Sequence, residues 1–184
     1  MIRGVAPRCP TPSRCQTLLQ LGAVLLLAAC SGTASATTSQ TSACILTLRI
    51  GARSESPPGQ FHADLIFENK KIWNTSCRLS GFPDVELIGP VAPVYGSLYE
   101  LPDQSGRSES VTLRPGSSAH ALLTWLPSSS VRGSWTPGYV RVTVPTGSGT
   151  SDPMALPWRF GSVLRQDAAT HPGSYIGPIR PGAG

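Results

Sequence analysis

The sequence predicts an all-β chain: an antiparallel, Ig-like β-sandwich of about 8 to 9 strands, preceded by a signal peptide and a flexible spacer. Three observations carry that prediction. Apolar residues after position 43 recur with period two, the pattern of half-buried strands. Pro-Gly dipeptides punctuate these runs at 58, 115, 137, 172 and 181, and no segment after residue 30 sustains a helical period. Of 184 residues, 19 are Gly and 18 are Pro, which argues against helical bundles and coiled coils while falling short of collagen or disorder.

The first element is a leader. Residues 18–29, LLQLGAVLLLAA, form an apolar run preceded only by arginine charges. The run is too short for a bilayer span, which needs about 20 apolar residues, but it fits the apolar region of a secretory signal. Leu27-Ala28-Ala29-Cys30 then spells a lipobox. This predicts a lipoprotein signal peptide over 1–29, cleavage before Cys30 and a diacylglyceryl thioether on the Cys30 thiol. The competing cleavage site is the A-x-A motif Ala34-Ser35-Ala36. Two or three acyl chains, at about 0.8 kcal/mol per buried CH₂, anchor a protein durably where one gives marginal binding.

Residues 30–43 follow as a Ser/Thr/Ala spacer carrying the anchor; 31–43 hold no charge and no large apolar side chain, so nothing there buries enough surface to offset ordering entropy. The sandwich domain is expected over 44–184, a single domain's worth of chain. Of the 15 basic residues, Arg3, Arg8 and Arg14 leave with the leader, so 12 remain against 10 acidic ones. The remaining cations are scattered, with Lys70 and Lys71 the one adjacent pair. A nucleic-acid footprint needs clustered cations, so nucleic acid is excluded as a partner.

Cys9 and Cys15 also belong to the leader, and Cys30 takes the lipid. That leaves Cys44 and Cys77, whose pairing is the default in an oxidising compartment. Closing a loop of roughly 34 residues stabilises by about 3 to 4 kcal/mol on the chain-entropy model. Metal ligation and a redox thiol pair remain as alternatives at this point.

The strands follow in order. Cys44, Leu46, Leu48 and Ile50 share one face; Phe61, Ala63, Leu65 and Phe67 share the next, with His62, Asp64 and Glu68 on the solvent side. Val85 and Leu87 sit between Asp84 and Glu86. Strands are also expected from Val94 to Leu101, Val111 to Leu113, Ala119 to Trp125, Val140 to Val144 and Met154 to Phe160, with a last short one near Ile176 to Arg180. Pro157 points to an edge position, because proline cannot donate to a ladder. Each Pro-Gly reads as a type II turn in which Gly supplies the positive φ, clearest at Leu113-Arg114-Pro115-Gly116-Ser117. The spacing from Cys44 to Cys77 is shorter than the inter-sheet bridge of true immunoglobulin domains, so the expectation is of that architecture and not of that family.

Two blocks, NTSCRLSGFPDVELIG at 74–89 and VTLRPGSSAHALLTW at 111–125, resemble the actinobacterial lipoprotein domain known as domain of unknown function 4232. The pattern is a strand ending in Asn (Asn69 or Asn74), Cys77-x-Leu79, Gly81-Phe82-Pro83, a short apolar strand at Val85 to Ile88, and Leu113-x-Pro115-Gly116. The first cysteine of the usual pair falls on Cys44. The resemblance implies a secreted β-sandwich, usually lipid-anchored, with no assigned chemistry. Members often carry a second cysteine pair in the C-terminal half, where this chain has Ser134-Trp135 and Arg165-Gln166.

Candidate chemistry is sparse. His62, His120 and His171 lie far apart in sequence without a second ligand type at i+2 or i+4, so no zinc cluster is legible; His62 and His120 read as surface or rim residues. Gly147-Ser148-Gly149 lacks the spacing of a nucleophile elbow and reads as a loop. Asp84 and Glu86 could span a sugar-hydrolysing distance, though alternating acids ordinarily solubilise a sheet face. Tyr95 and Tyr99 could form a same-face stacking platform for a sugar or protein, or cover the second sheet. Asn69-Lys70-Lys71-Ile72-Trp73 reads as a loop tip, and Asn74-Thr75-Ser76 as a chance sequon.

The expectation is therefore a non-catalytic binding or interaction module, lipid-anchored on the outer face of the bacterial cytoplasmic membrane or in the envelope. Its partners are the membrane, through the N-terminal anchor, and an envelope protein or glycan. No catalytic, metal or cofactor-binding residue is assigned. The alternatives are an envelope glycan-processing hydrolase and a structural surface protein.

Overall fold

In the computed structural model, which describes residues 44–70, 75–128 and 134–184, the period-two runs become strands. The leader, Cys30, the spacer, Lys71, Trp73 and Asn74 lie outside the described residues. In chain order the strands are β1 (Leu46–Ile50), β2 (Ser54–Glu55), β3 (Phe61–Asn69), β4 (Cys77–Ser80), β5 (Asp84–Ala92), β6 (Gly96–Glu100), β7 (Ser110–Leu113) and β8 (Ser118–Trp125). They continue as β9 (Ser134–Trp135), β10 (Tyr139–Thr143), β11 (Pro145–Thr146), β12 (Gly149–Thr150), β13 (Met154–Pro157), β14 (Val163–Leu164), β15 (Tyr175–Ile176) and β16 (Arg180–Pro181). Nine of them run four residues or longer; eight coincide with expected strands, β4 is additional, and the expected terminal strand falls among the seven two-residue pieces. No helix among the described residues is long and apolar enough to cross a membrane.

One sheet runs β1-β3-β8-β15, with β2 on β3 and β16 on β8; a second runs β13-β10-β5-β6, and a third β12-β11-β4-β7. All strand pairings are antiparallel. The chain passes from β4 to β5 through Gly81-Phe82-Pro83 and from β10 to β11 through Val144, so the second and third sheets share one continuous apolar side. Together the sheets form an all-β antiparallel sandwich around a single core. Leu65, Phe67, Ala119, Ala121, Leu123 and Trp125 come from the first sheet, and Val85, Leu87, Val140, Val142, Leu79 and Leu113 from the others; all are buried. Burying each large apolar side chain contributes about 1.5–3 kcal/mol. Pro157 lies on β13, an edge strand, as expected.

Cys44 and Cys77 are disulfide-bonded, with Cα atoms 5.4 Å apart. The bond ties the segment entering β1 to the start of β4, so it joins two sheets. Asn69 ends β3 and is fully buried. Its Nδ2 donates to the Thr75 and Leu113 carbonyls, both at 3.1 Å, and its carbonyl accepts from Gly116 N at 2.8 Å. One residue, through its side chain and its backbone carbonyl, thus supports the β7–β8 turn, where Gly116 has φ 75°.

Several expectations need correction. His62 is buried, because β2 pairs beside it and the residue after β2 engages its ring: Nε2 donates to the Ser56 carbonyl, and Nδ1 lies 2.9 Å from Thr124 Oγ1. The strand expected from Val94 begins at Gly96, since residues 93–95 make the β5–β6 turn. The strand expected to reach Phe160 stops at Pro157; Trp158 and Phe160 instead pack edge-on or tilted against Trp125, at 5.1 and 5.0 Å between ring centroids. The terminal strand is split into β15 and β16, which both pair with β8. Of the five Pro-Gly dipeptides, only those at 58, 115 and 181 have Gly at positive φ. Gly138 instead donates to Ile88 at 2.8 Å, and Gly173 is a close-approach glycine, since a Cβ there would sit 2.6 Å from Leu126 Cδ1.

Candidate functional site

The most developed surface feature lies along β6 and the loop at 166–172. Its scaffold is a single cation. Arg165 follows β14, whose pairing with β9 sets Val163 opposite Trp135 and so delivers the guanidinium beneath the β5–β6 hairpin. The side chain is only 3% exposed. Its ring contacts are Trp135 at 4.7 Å, Tyr95 at 5.3 Å and Tyr99 at 5.4 Å from the centroids, each a favourable cation–π geometry. Its Nη1 donates to the Gly96 carbonyl at 3.0 Å and its Nη2 to the Tyr95 and Leu98 carbonyls at 2.9 and 2.5 Å. Asp167 closes the set, accepting from Nε at 3.0 Å and from Nη2. A buried charge is tolerated only when so paired and hydrogen-bonded.

The two tyrosines do share this cation, but they do not form a stacking platform. Tyr99 is buried in the core and Tyr95 sits in the turn, half exposed. Burial pushes the Tyr99 phenol above its usual range, against the opposing pull of Ser174 and the Gln166 backbone. Gly89 completes the packing: a Cβ there would lie 2.8 Å from the Trp135 ring, and the Trp135 indole donates to the Pro90 carbonyl at 2.8 Å.

Above this scaffold opens a groove of about 580 Å³, walled by Leu98 to Pro102 on one side and by Gln166, Asp167, Ala169, Thr170 and Pro172 on the other. Past Pro102 and Thr170 it continues into a hollow of about 420 Å³ that reaches Asp103, His171 and Tyr175. The charged residues along this line are the acids Glu100, Asp167 and Asp103, with Arg165 covered. Partial burial and then the charge of Asp84 hold the Asp103 carboxyl above the usual carboxylate range. The groove therefore presents carboxylates, a hydroxyl and backbone groups to a cationic, donor-bearing extended ligand.

The remaining sequence candidates fall elsewhere. Glu86 is held by Arg141 at 2.5 Å, and the pairing raises the Arg141 guanidinium further above its usual value. Asp84 is exposed at the start of β5, near Asp103. His120 is half-buried with Nδ1 3.4 Å from the Gly182 carbonyl, and His171 is exposed beside Thr170. The structure brings no three of the described His, Cys, Asp and Glu side chains into a metal-holding cluster. Gly147-Ser148-Gly149 is a turn, as expected.

Sequence reasoning missed Arg165. The one local signal was the i, i+2 spacing of Arg165 and Asp167 after the apolar pair Val163-Leu164, which reads equally well as a solvated turn. Trp135 and Arg165 occupy the region where the resemblance implied a second cysteine pair, and here they pack against each other.

A family model described as Domain of unknown function (DUF4232) matches residues 44–173. The match takes in β6, Arg165 and the whole of the loop at 166–172 opposite. No curated protein and no solved structure matches the chain.

Proposed function

The chain belongs to the DUF4232 family, and from that premise we propose that it is a lipid-anchored, non-catalytic binding module of the bacterial cell envelope. The observation that carries the binding role is the groove between β6 and residues 166–172, an open channel on a scaffold fixed by Arg165. Its walls are backbone edge, carboxylates and prolines. The anchor rests on the lipobox ending at Cys30, and the outward-facing location on the leader and on a cysteine pair suited to an oxidising compartment. The uncharged spacer would let the domain reach an envelope protein or glycan away from the membrane surface.

Intact mass of the membrane-extracted protein, with thiol alkylation in the absence of reductant, tests the anchor. The expected product is residues 30–184 plus acyl groups, unalkylated. A soluble product beginning at Thr37 would overturn it. The alternative, a glycan-processing hydrolase, is tested by incubation with envelope polymers: product release that is lost in Asp84→Asn or Glu86→Gln would replace the module reading.

A further inference from the structure

The groove runs beside an unfinished strand edge, and the direction of each backbone group on β6 follows from the hydrogen bonds. In an antiparallel ladder the N–H and C=O of one residue point to the same side, and the side alternates along the strand. Leu101 N donates to the Val85 carbonyl at 2.9 Å, so Leu101 faces β5, and so does Tyr99, opposite Leu87. Gly96, Leu98 and Glu100 therefore face away from β5. Arg165 confirms the parity independently, because it takes the Gly96 and Leu98 carbonyls from that outer side. Beyond the strand, the Pro102 carbonyl accepts from Ile176 N at 3.0 Å.

The outer edge of β6 is thus closed at both ends and open in the middle. Among the described residues, the Leu98 N–H and the Glu100 N–H and C=O have no partner, and these groups border the groove. Open edges template the addition of another strand, and native proteins normally block them. Here Arg165 blocks the approach from the turn side, and the Ile176 contact blocks the other. Because the Leu98 N–H lies between two carbonyls that Arg165 holds, the stretch left uncapped is the N–H and C=O of Glu100, bordered by the 580 Å³ channel.

Resting on the binding-module reading, we propose that β6 takes up an extended peptide segment by strand addition, with a basic side chain opposite Glu100. The backbone supplies the attachment. The residue opposite Glu100 would exchange both hydrogen bonds with it, and its side chain would lie on the outer sheet face beside the Glu100 carboxylate. That face is otherwise acidic here: Glu100 stands directly opposite Glu86, whose charge Arg141 already engages. The residue two positions away would lie beside Leu98, which is 40% exposed and continues an apolar row across the sheet through Ile88, Tyr139 and Pro157. The segment that fits is therefore extended and alternating, with a cation and an apolar residue on one face. The uncharged spacer lacks the cation.

The probe is acetyl-Thr-Lys-Thr-Val-Thr-amide, titrated into the full chain and followed by the amide signals of β6. The expected result is saturable binding with shifts at Leu98 and Glu100. N-methylation of the lysine, whose N–H meets the open Glu100 carbonyl, weakens binding by about tenfold. N-methylation of the threonines, whose N–H groups face away, leaves it within about twofold. Glu100→Lys weakens binding without loss of fold, since it replaces an exposed acid that faces another acid. Equal binding by both methylated peptides, or no effect of Glu100→Lys, would overturn strand addition. So would dilution-dependent shifts at Leu98 and Glu100 without peptide, which would assign the edge to a second copy. Absence of peptide binding would also overturn it; shifts at Ala169 and Thr170 with N-acetylglucosamine oligosaccharides would then keep the module reading, and no shifts with either would remove both.

Discussion

The Cys44–Cys77 bond and the Arg165 cage both fasten together segments distant in sequence, the first across 33 residues and the second across about 67 to 70. They do so by opposite physics. The disulfide is covalent and acts largely by restricting the unfolded chain. The guanidinium exists as a tie only in the native state, and it depends on three carbonyls, a carboxylate and three rings being in place together. The covalent end is tied more fully: β3 and β8 each pair on both sides and the Asn69 turn is hydrogen-bonded, while β1 forms the outer edge of that sheet. The cationic end fastens the hairpin but leaves part of the β6 edge open. A groove can exist beside Arg165 because a side chain, unlike a strand, caps only the carbonyls that it reaches.

Breaking the cationic tie has the largest expected effect. Arg165→Met leaves three part-buried carbonyls and the Asp167 carboxylate without their donor, and removing one partner of a buried pair typically costs about 3–5 kcal/mol. Guanidinium denaturation without reductant checks it. A loss below about 1 kcal/mol would reduce the cage to an ordinary surface ion pair.

Cys44→Ser combined with Cys77→Ser should cost about 3 to 4 kcal/mol on the chain-entropy model. The same denaturation series measures it. Because the two ties share no partner, the triple variant should lose the sum to within about 0.5 kcal/mol, and a marked shortfall would mean that the two ends are one cooperative unit in the native state.

The smallest effect concerns Asp103. Its carboxyl titrates above the usual range in the folded chain, so the native state holds that proton more tightly than the unfolded state does. Stability at this residue therefore falls as pH rises through the window above the ordinary carboxylate value. Asp103→Asn should flatten that fall in a plot of melting temperature against pH while leaving the acid side unchanged. An unchanged slope would show that Asp84 and partial burial do not act on the group.

The closed end was legible in the sequence and the open end was not, and the reason is the range of the forces involved. Alternation at Phe61 to Phe67 and at Ala119 to Trp125 is a local property, set by side chains standing perpendicular to a pleated strand. So is the turn at Pro115-Gly116. The disulfide followed from counting the cysteines that remain if residues 1–29 are read as a leader and Cys30 as lipidated. His62 broke the pattern because the Ser56 carbonyl and Thr124 Oγ1 engage a ring that alternation marks as solvent-facing. Arg165 broke it further, since an arginine between Leu164 and Gln166 carries no sign that three carbonyls from the β5–β6 hairpin will converge on it. Trp158 and Phe160 looked like a strand and became part of the cluster around Trp125. The groove inherits this illegibility, because its two walls meet only after β9 and β14 have paired.

Amide hydrogen exchange along β6 in the free chain tests the central claim most directly. The account predicts that the Leu98 and Glu100 amides exchange fast while Tyr99 and Leu101, between and beside them, are protected. Slow exchange at Glu100, or one uniform rate along the strand, would mean that the edge is already occupied and would contradict the account.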